Sequence, residues 1–383
     1  MTIRKRLRRL AGRGPGKPSP PREPSDAVEP DAAAERITSQ EDRIFVRQDE
    51  LPELVRKHFR RYPRSETGKQ SEWLTRAQVL LEEVSPDALT HHNIKKIERH
   101  DLKIRRALSF KWFMAQESES RRLGLTSPAW MLDQKIDAYR FIDRIGVRRP
   151  KSDLETHRLS RAPITPPTVL KPRRSTGSRG CYLITSPQSI VHVRDGASFQ
   201  SLDEMKEHAH TLMAPSRENA RPLPDRWMVE ELILEDHAAG TPARDLKFFC
   251  FYGEVVLYLE VRRHGGKSEY SFRTPDNRPV APGNWNYEYF EGQGASTEEM
   301  DLARQISLEI PHPFCRIDML KSEDGLVFGE FTPRPGGYNR FSPEWDRRMG
   351  EAWVRAQHRI FIDALHGKNF ENFVRATGIV DHS

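Results

Sequence analysis

Residues 314–337 read Phe-Cys-Arg-Ile-Asp-Met-Leu-Lys-Ser-Glu-Asp-Gly-Leu-Val-Phe-Gly-Glu-Phe-Thr-Pro-Arg-Pro-Gly-Gly, and this stretch decides the fold. Two apolar runs flank Glu323-Asp324-Gly325, a pattern that predicts a β-hairpin. If those three residues form the loop, counting outward places Asp318 opposite Glu330. Directly opposed residues project from the same side of a hairpin. The sequence therefore predicts two carboxylates side by side among apolar neighbours.

Two like charges in that position cost energy unless a cation lies between them. A hard divalent ion such as Mg²⁺, with ATP phosphates beside it, is one such cation. The alternative is that both carboxylates face solvent, which their apolar neighbours argue against. Arg316 lies two residues before Asp318 and projects on the same face. It either neutralises charge on an oxyanion or forms an ordinary ion pair with Asp318.

Two other stretches carry candidate nucleotide-binding residues. Thr168-Val-Leu-Lys171 precedes the loop Pro-Arg-Arg-Ser-Thr-Gly-Ser-Arg-Gly180, whose N–H groups can cradle phosphates. A plain surface turn is the alternative. Trp227-Met-Val-Glu-Glu-Leu-Ile233 is a buried type of strand, and Asp245-Leu-Lys247 begins a further apolar hairpin. Acids at such strand ends either bind ribose hydroxyls or are simply solvated.

Composition limits the function classes. The chain has 383 residues, of which 31% are charged, and its apolar runs are too short to span a bilayer. Three widely spaced cysteines exclude a disulfide framework and favour a reducing, cytoplasmic location. The net charge of +7 lies within residues 1–24, so the rest of the chain has no net charge that would indicate a nucleic-acid partner.

The organisation expected is a basic Pro/Gly-rich tail and linker at 1–35, a helical region at 36–126, and an α+β region at 127–383. The basic, amphipathic stretch 94–113 has either a solvated face or a docking surface. The tail is either disordered or, through Ile3, Leu7 and Leu10, touches an anionic membrane surface. Strands are expected at 168–171, 181–185, 227–234, 247–252, 254–261, 314–320 and 326–331, and helices at 128–145, 201–213, 297–309 and 343–365.

Taken together, these pieces resemble the ATP-grasp superfamily and, within it, the TupA-like group, named for teichuronopeptide biosynthesis. The chain order is the same: an Asp-Gln-Lys135 helix, the Lys171 strand, the Gly/Ser loop, a Val-Glu-Glu hinge, and Arg-Ile-Asp318 with Gly-Glu330. The resemblance covers about residues 127–355 and implies an ATP-grasp fold. Its matching stretches are residues 245–253, 298–303, 313–318, 329–332, 341–346 and 349–350.

The resemblance also implies the roles of individual residues toward the cofactors ATP and Mg²⁺. Those implied to bind ATP are Lys135 and Lys171 (phosphates), Gly177, Ser178 and Gly180 (a mobile lid), Glu230 or Glu231 (adenine hinge), Asp245 (ribose) and Lys247. Those implied to hold Mg²⁺ are Asp318, Glu330 and Thr332. Thr332 stands where many ATP-grasp ligases have Asn, so the second metal would be held more weakly.

The same resemblance implies that Arg316 stabilises a tetrahedral intermediate and that the acceptor substrate lies against Arg334, Gly336 and Gly337. The implied activity is an ATP-dependent carboxylate–amine ligase acting through an acylphosphate. Its setting would be the biosynthesis of a cell-surface polysaccharide or peptide polymer. A non-catalytic nucleotide-binding scaffold and an ATP-grasp phosphotransferase are the alternatives. The carboxylate and amine substrates are not specified by the sequence.

Overall fold

The computed structural model describes residues 50–63, 67–175, 177–215, 222–264 and 267–379. These residues form two compact units that divide between Ile104 and Arg105. The expected tail and linker, together with the membrane contact predicted for residues 1–24, lie outside the described residues. Among the helices that are described, none combines the length and the apolar character needed to cross a membrane.

The first unit is helical, as the sequence predicts. It contains α1 (Leu51–Arg60), α2 (Thr67–Glu83) and α3 (His91–Arg99). Their apolar faces enclose a core in which Val55 and Phe59 are fully buried. Trp73 joins two of the helices: its ring stacks on His58, and its Nε1 donates to the His58 carbonyl at 3.0 Å. A capping box between Thr90 and Asn93 begins α3.

The second unit is built on two antiparallel sheets. The smaller has the order β4-β3-β2-β1-β5, and the larger has the order β11-β10-β9-β8-β12-β13, in which only β10 and β11 pair in parallel. A short hairpin, β6–β7, stands apart. The strands are β1 (Thr168–Pro172), β2 (Tyr182–Ser186), β3 (Ser189–His192), β4 (Ser198–Phe199), β5 (Trp227–Glu231), β6 (Leu234–Asp236), β7 (Thr241–Pro242), β8 (Asp245–Phe251), β9 (Glu254–His264), β10 (Lys267–Arg273), β11 (Glu288–Tyr289), β12 (Cys315–Ser322) and β13 (Gly325–Thr332).

Helices cover both faces of the larger sheet. The helices of this unit are α4 (Phe110–Arg122), α5 (Pro128–Met131), α6 (Lys135–Arg144), α7 (Leu202–Met213), α8 (Thr297–Leu308), α9 (Pro343–Leu365) and α10 (Glu371–Thr377). Leu246 and Phe248 of β8 point to a core shared with α6, α8 and α10. Phe249 and Phe251 point to a core shared with α4 and α9. Since side chains alternate along a strand, Asp245 and Lys247 lie on that second face, at its charged end.

The β12–β13 hairpin confirms that Asp318 is opposite Glu330, but the turn that produces this register differs from the predicted one. A three-residue loop would pair Ser322 with Leu326; that loop is wrong, because Ser322 pairs with Gly325. A bulge at Gly329 then restores the expected register at Asp318. A Cβ at residue 329 would lie 2.9 Å from the Asp318 carbonyl oxygen, so glycine suits this bulge.

Most of the expected elements are present, with two corrections. The single helix predicted at 128–145 is wrong: the chain is extended at Gln134, so Lys135 begins a separate helix. The strand predicted at 227–234 is divided between β5 and β6, which belong to different sheets. The helix from Phe110 to Arg122 belongs to the second compact unit. The domain boundary at residues 126 and 127 stays a prediction.

Gly350 in α9 provides a test of the packing of the second unit. A Cβ at this position would lie 1.9 Å from the Leu108 carbonyl oxygen, and that backbone cannot move without displacing its own turn. We expect Gly350→Ala to lower the free energy of unfolding by about 1–3 kcal/mol. Gln357→Ala, on an exposed position of the same helix, is the control and should change it by less than about 0.5 kcal/mol. Equal urea-denaturation midpoints for the two variants would contradict this packing.

Candidate active site

The charged end of the larger sheet gathers residues from four neighbouring strands. The strand register places Asp318 opposite both Lys247 and Glu330, and Arg316 opposite Thr332. The residues brought together are Arg263 (β9), Asp245 and Lys247 (β8), Arg316 and Asp318 (β12), and Glu330 and Thr332 (β13). Most were singled out in the sequence, and period-two alternation is what puts them on one face.

Asp318 is the buried centre of this group. Arg316 donates to both of its oxygens, from Nε to Oδ1 and from Nη2 to Oδ2, each at 2.7 Å, and Lys247 donates to Oδ2. Burial alone would raise the pKa of Asp318, but Arg316 and Lys247 outweigh it and hold that pKa below its usual value. The ordinary ion pair expected as one alternative for Arg316 is therefore present. Its guanidinium also donates to Thr332 Oγ1 at 3.0 Å.

Asp245 is a second buried carboxylate held by cations. Arg263 donates to its Oδ2, and Lys247 Nζ lies 3.5 Å from the same oxygen. Burial raises the pKa of Asp245, but Arg263 and Lys247 lower it by more. Sequence reasoning missed Arg263. Its signal was available: it lies two residues after Val261, which pairs with Asp245, so it projects on the same face.

Glu330 differs from the other carboxylates of the group. It is exposed, and in the described part of the chain its carboxylate has neither an ion pair nor a hydrogen bond. Its negative charge nevertheless reaches Lys135, where it raises the pKa, and Arg316. Glu330 is thus an available oxygen ligand beside the neutralised Asp318.

A second cluster joins α6 to the smaller sheet. Glu230 is buried on β5, Lys171 of β1 forms an ion pair with its Oε2, and Lys135 Nζ lies 4.0 Å from its Oε1. Burial raises the pKa of Glu230, but the two lysines outweigh it and lower that pKa. Burial lowers the pKa of Lys135 to about 8, only partly offset by Glu230. The negative charge of Glu330, at the end of the larger sheet, also raises the pKa of Lys135. Lys135 therefore interacts with both clusters.

The two adjacent acids that the sequence could not separate point to opposite sides. Glu230 faces the lysines, whereas Glu231 accepts from the Lys151 backbone N–H at 3.0 Å and from Arg148 at 3.5 Å. Only Glu230 therefore belongs to the lysine cluster. Tyr139, which sequence reasoning missed, lies one helical turn after Lys135. Its hydroxyl is buried beside the Glu230 carboxylate, and burial raises the pKa of Tyr139.

The predicted phosphate loop is held in left-handed turns. Gly177, Ser178 and Gly180 have φ of 63°, 57° and 73°. Within the described residues, the N–H groups of Gly177 and Ser178 have no acceptor, so they are available to an anion. The N–H of Gly180 is not, because it donates to His192 Nε2 at 3.0 Å. Arg174 connects the loop to the start of α6 through Gln134 Oε1, at 2.6 Å.

The residues predicted to face the acceptor lie in a segment of bends and turns that follows β13. The guanidinium of Arg334 lies 5.2 Å from the Trp130 ring, and that of Arg121 lies 3.8 Å from the same ring. Trp130 lines a cleft of about 630 Å³ together with Asp133 and other residues of this unit. Burial raises the pKa of Asp133. Gly337 has φ of 74°, and Gly336 has open space around its Cα.

Asp318 provides a test of this electrostatic arrangement. Asp318→Asn leaves Arg316 and Lys247 without their carboxylate, so we expect the free energy of unfolding at pH 7 to fall by about 3–5 kcal/mol. Because the folded-state pKa is lowered, wild type keeps this contribution above the unfolded-state pKa of about 3.9 and loses it as the pH falls further. The difference in the free energy of unfolding between wild type and Asp318→Asn should therefore decrease only below about pH 4. Urea denaturation across pH measures it, with Glu330→Gln as the control; equal stability of the two variants would contradict the pairing.

Comparison with known proteins places the whole arrangement in a family. Similar solved structures include a D-alanine–D-alanine ligase from Bacillus anthracis complexed with ATP (11% identity, 65% of this chain and 75% of that chain, TM-score 0.36). They also include the ATP-grasp ligase PsnB complexed with minimal precursor (9% identity, 71% and 75%, TM-score 0.32). No curated protein matches. The TM-scores are low, and the assignment rests on the family model TupA-like ATPgrasp, which matches residues 109–354. The chain belongs to the TupA-like ATP-grasp family.

Proposed function

We propose that this protein is an ATP-dependent ligase that joins a carboxylate to an amine through an acylphosphate. The supporting observation is the position of Lys135, which lies 4.0 Å from the buried Glu230 and within reach of the charge on the open Glu330. Phosphate-binding cations and an oxygen ligand for a metal are thereby neighbours. The proposed setting, taken from the family, is the synthesis of a cell-surface polysaccharide or peptide polymer in the cytoplasm.

The triphosphate would lie between the lysine cluster and the loop. Lys135 and Lys171 supply positive charge, and the open N–H groups of Gly177 and Ser178 supply directed donors. Gly180 would shape the base of this lid. Glu230 keeps the lysines in place before ATP arrives. Placing charged donors in advance lowers the reorganisation that phosphoryl transfer requires.

The nucleoside would lie against the strand ends. Asp245 Oδ2 is taken up by Arg263 and Lys247, which leaves Oδ1 to accept a hydrogen bond from a ribose hydroxyl. Lys247 also holds Asp318, so it joins the ribose position to the metal position. Since Glu230 serves the lysines, we place the adenine edge beside the end of β5, at Glu231 and the buried residues that follow.

The residues present fit Mg²⁺. All three candidate ligands offer oxygen. Among the described residues Glu330 has no partner, Asp318 Oδ1 accepts one hydrogen bond, and Thr332 Oγ1 accepts one from Arg316 and keeps a lone pair. When bound, Mg²⁺ neutralises phosphate charge.

In the first step of the proposed reaction, a substrate carboxylate oxygen attacks the γ-phosphorus and ADP leaves. In the second, the amine attacks the acyl carbon, phosphate leaves and the nitrogen loses a proton. Arg316, fixed by Asp318, would then face the oxyanion, and Arg334, Gly336 and Gly337 the acceptor.

Glu330 gives the sharpest test of this proposal, because its loss breaks no contact among the described residues. We expect Glu330→Gln to lower ATP-dependent phosphate release, measured with candidate carboxylates and amines, by at least about 100-fold. Thermal melting should remain unchanged. Glu288→Gln, an exposed acid with one weak ion pair, is the control and should retain activity.

The products separate the alternatives. A ligase releases inorganic phosphate and forms an amide, whereas a phosphotransferase forms a phosphoester. If the protein binds nucleotide but hydrolyses none with any acceptor tested, the non-catalytic scaffold would be favoured instead. Wild-type turnover by Glu330→Gln would mean that the metal site is misplaced.

Lys171 tests the phosphate position separately. We expect Lys171→Ala to weaken ATP binding by about 1.5–3 kcal/mol, because a charged hydrogen bond to phosphate is lost. Lys151→Ala removes the same charge from an exposed side chain nearby and should leave the affinity unchanged. Calorimetric titration of ATP into the three proteins measures the difference. Identical affinities would remove Lys171 from the site.

A further inference from the structure

His192 connects the smaller sheet to the base of the phosphate loop. It ends β3 and is 1% exposed. Its Nε2 accepts the Gly180 N–H at 3.0 Å, and its Nδ1 lies 2.8 Å from Asp195 Oδ1. Because a backbone N–H can only donate, Nε2 carries no hydrogen, and the imidazole proton is on Nδ1, facing Asp195. His192 is therefore neutral and fixed in one tautomer.

Titratable groups from three elements face this imidazole. Asp195 comes from its own hairpin, Tyr182 from β2 with its ring 5.1 Å away, and His208 from α7 with its ring 4.9 Å away. Tyr182 and His208 also share a hydrogen bond of 2.8 Å. Burial and the neighbouring His192 lower the pKa of His208. The carboxylate of Asp195 is the one group of these three that favours a positive charge on His192.

A metal site is the first alternative for this cluster. The donor atoms of His192, Asp195 and His208 lie within 4.8 Å of one another. The tautomer argues against it, because Nδ1 carries the hydrogen and Nε2 is engaged by Gly180. No imidazole lone pair of His192 remains for a metal. The contacts instead direct His192 toward the loop.

Gly180 is the point at which the loop is anchored. Its φ is 73°, and a Cβ would lie 2.8 Å from Leu223 and 2.9 Å from Pro172, so the chain passes closely between the two side chains. The open N–H groups of Gly177 and Ser178 are three and two residues away, respectively. The hydrogen bond at Gly180, together with that from Arg179 to the Leu212 carbonyl at 3.2 Å, therefore helps to fix the direction in which these donors are presented.

We propose that neutral His192 is a positioning residue that holds the phosphate loop in its ATP-binding shape and releases it on protonation. The proposal rests on the proposed function, since it assigns regulation by pH to the same site. When Nε2 gains a proton, two donors face each other and the bond to Gly180 is lost. ATP affinity should therefore be lower at a pH at which the imidazole has gained this proton than at a pH at which it has not.

Two substitutions separate the two ring nitrogens. In His192→Gln the side-chain oxygen reaches the position of Nε2 and cannot titrate, so the contact with Gly180 is retained. In His192→Asn the side chain reaches only the position of Nδ1, so the contact is lost. We expect His192→Asn to bind ATP about 5- to 100-fold more weakly than wild type at pH 8. His192→Gln should keep wild-type affinity at pH 8 and lose less of it at pH 5.5. Comparing proteins at each pH cancels the protonation of ATP itself.

Hydrogen exchange of the Gly180 amide, without nucleotide, tests the contact independently of ATP. Exchange should be slow in wild type and His192→Gln and faster in His192→Asn. If wild type binds no ATP, the proposed function fails, while the exchange rates still decide whether His192 holds the loop. Equal exchange in all three proteins, or an ATP affinity of His192→Asn that matches wild type at both pH values, would overturn the proposal.

If His192→Asn does not fold, Asp195→Asn replaces it. Removing the carboxylate disfavours the charged imidazole, so the fall in ATP affinity should shift to lower pH. An unchanged pH profile in Asp195→Asn would also overturn the proposal.

Discussion

The burial of the Asp318 carboxylate is the constraint on which the site depends. A charge at 3% exposure is tolerated only when it is paired, and Arg316 and Lys247 occupy both of its oxygens. Lys247 can do this only if β8 and β12 keep their register. Arg316 reaches back over two residues of the same strand. The bulge at Gly329 then brings Glu330 beside the pair, and Arg316 also donates to Thr332 of β13, so this group of contacts joins three strands.

In both clusters each buried carboxylate is paired with a cation, whereas the exposed Glu330 is not, among the residues that the structure describes. Asp245 is held by Arg263, Asp318 by Arg316, and Glu230 by Lys171, whereas Glu330 has no partner among the described residues. Each buried carboxylate thus orients a cation in advance. Anions and metal ions that enter such a site meet groups already in place, which is the physical basis of electrostatic preorganisation. The rigid sheet supports this arrangement because its apolar end is packed on both faces.

The predicted phosphate loop depends on contacts of a different kind. The described residues of the predicted phosphate loop are held by hydrogen bonds: the Gly180 N–H donates to His192 Nε2, and Arg179 donates to the Leu212 carbonyl at 3.2 Å. Its left-handed residues leave N–H groups open, and its two ends are fixed at Gln134 and Gly180. These contacts are separate from the paired charges of the larger sheet.

The sequence by itself determined the features that arise from local patterns. Period-two alternation around a turn was sufficient to predict the hairpin. The predicted three-residue loop was wrong, and Asp318 is opposite Glu330 because the bulge at Gly329 offsets the tighter turn. The ordered motifs around Lys171 and Asp318 were sufficient for the family. Tertiary structure alone decided which of Glu230 and Glu231 meets the lysines, and that Arg263, Tyr139 and His192 lie beside residues predicted from the sequence. These choices depend on strand pairing and burial between residues distant in the chain, and neither leaves a periodic signal in the sequence.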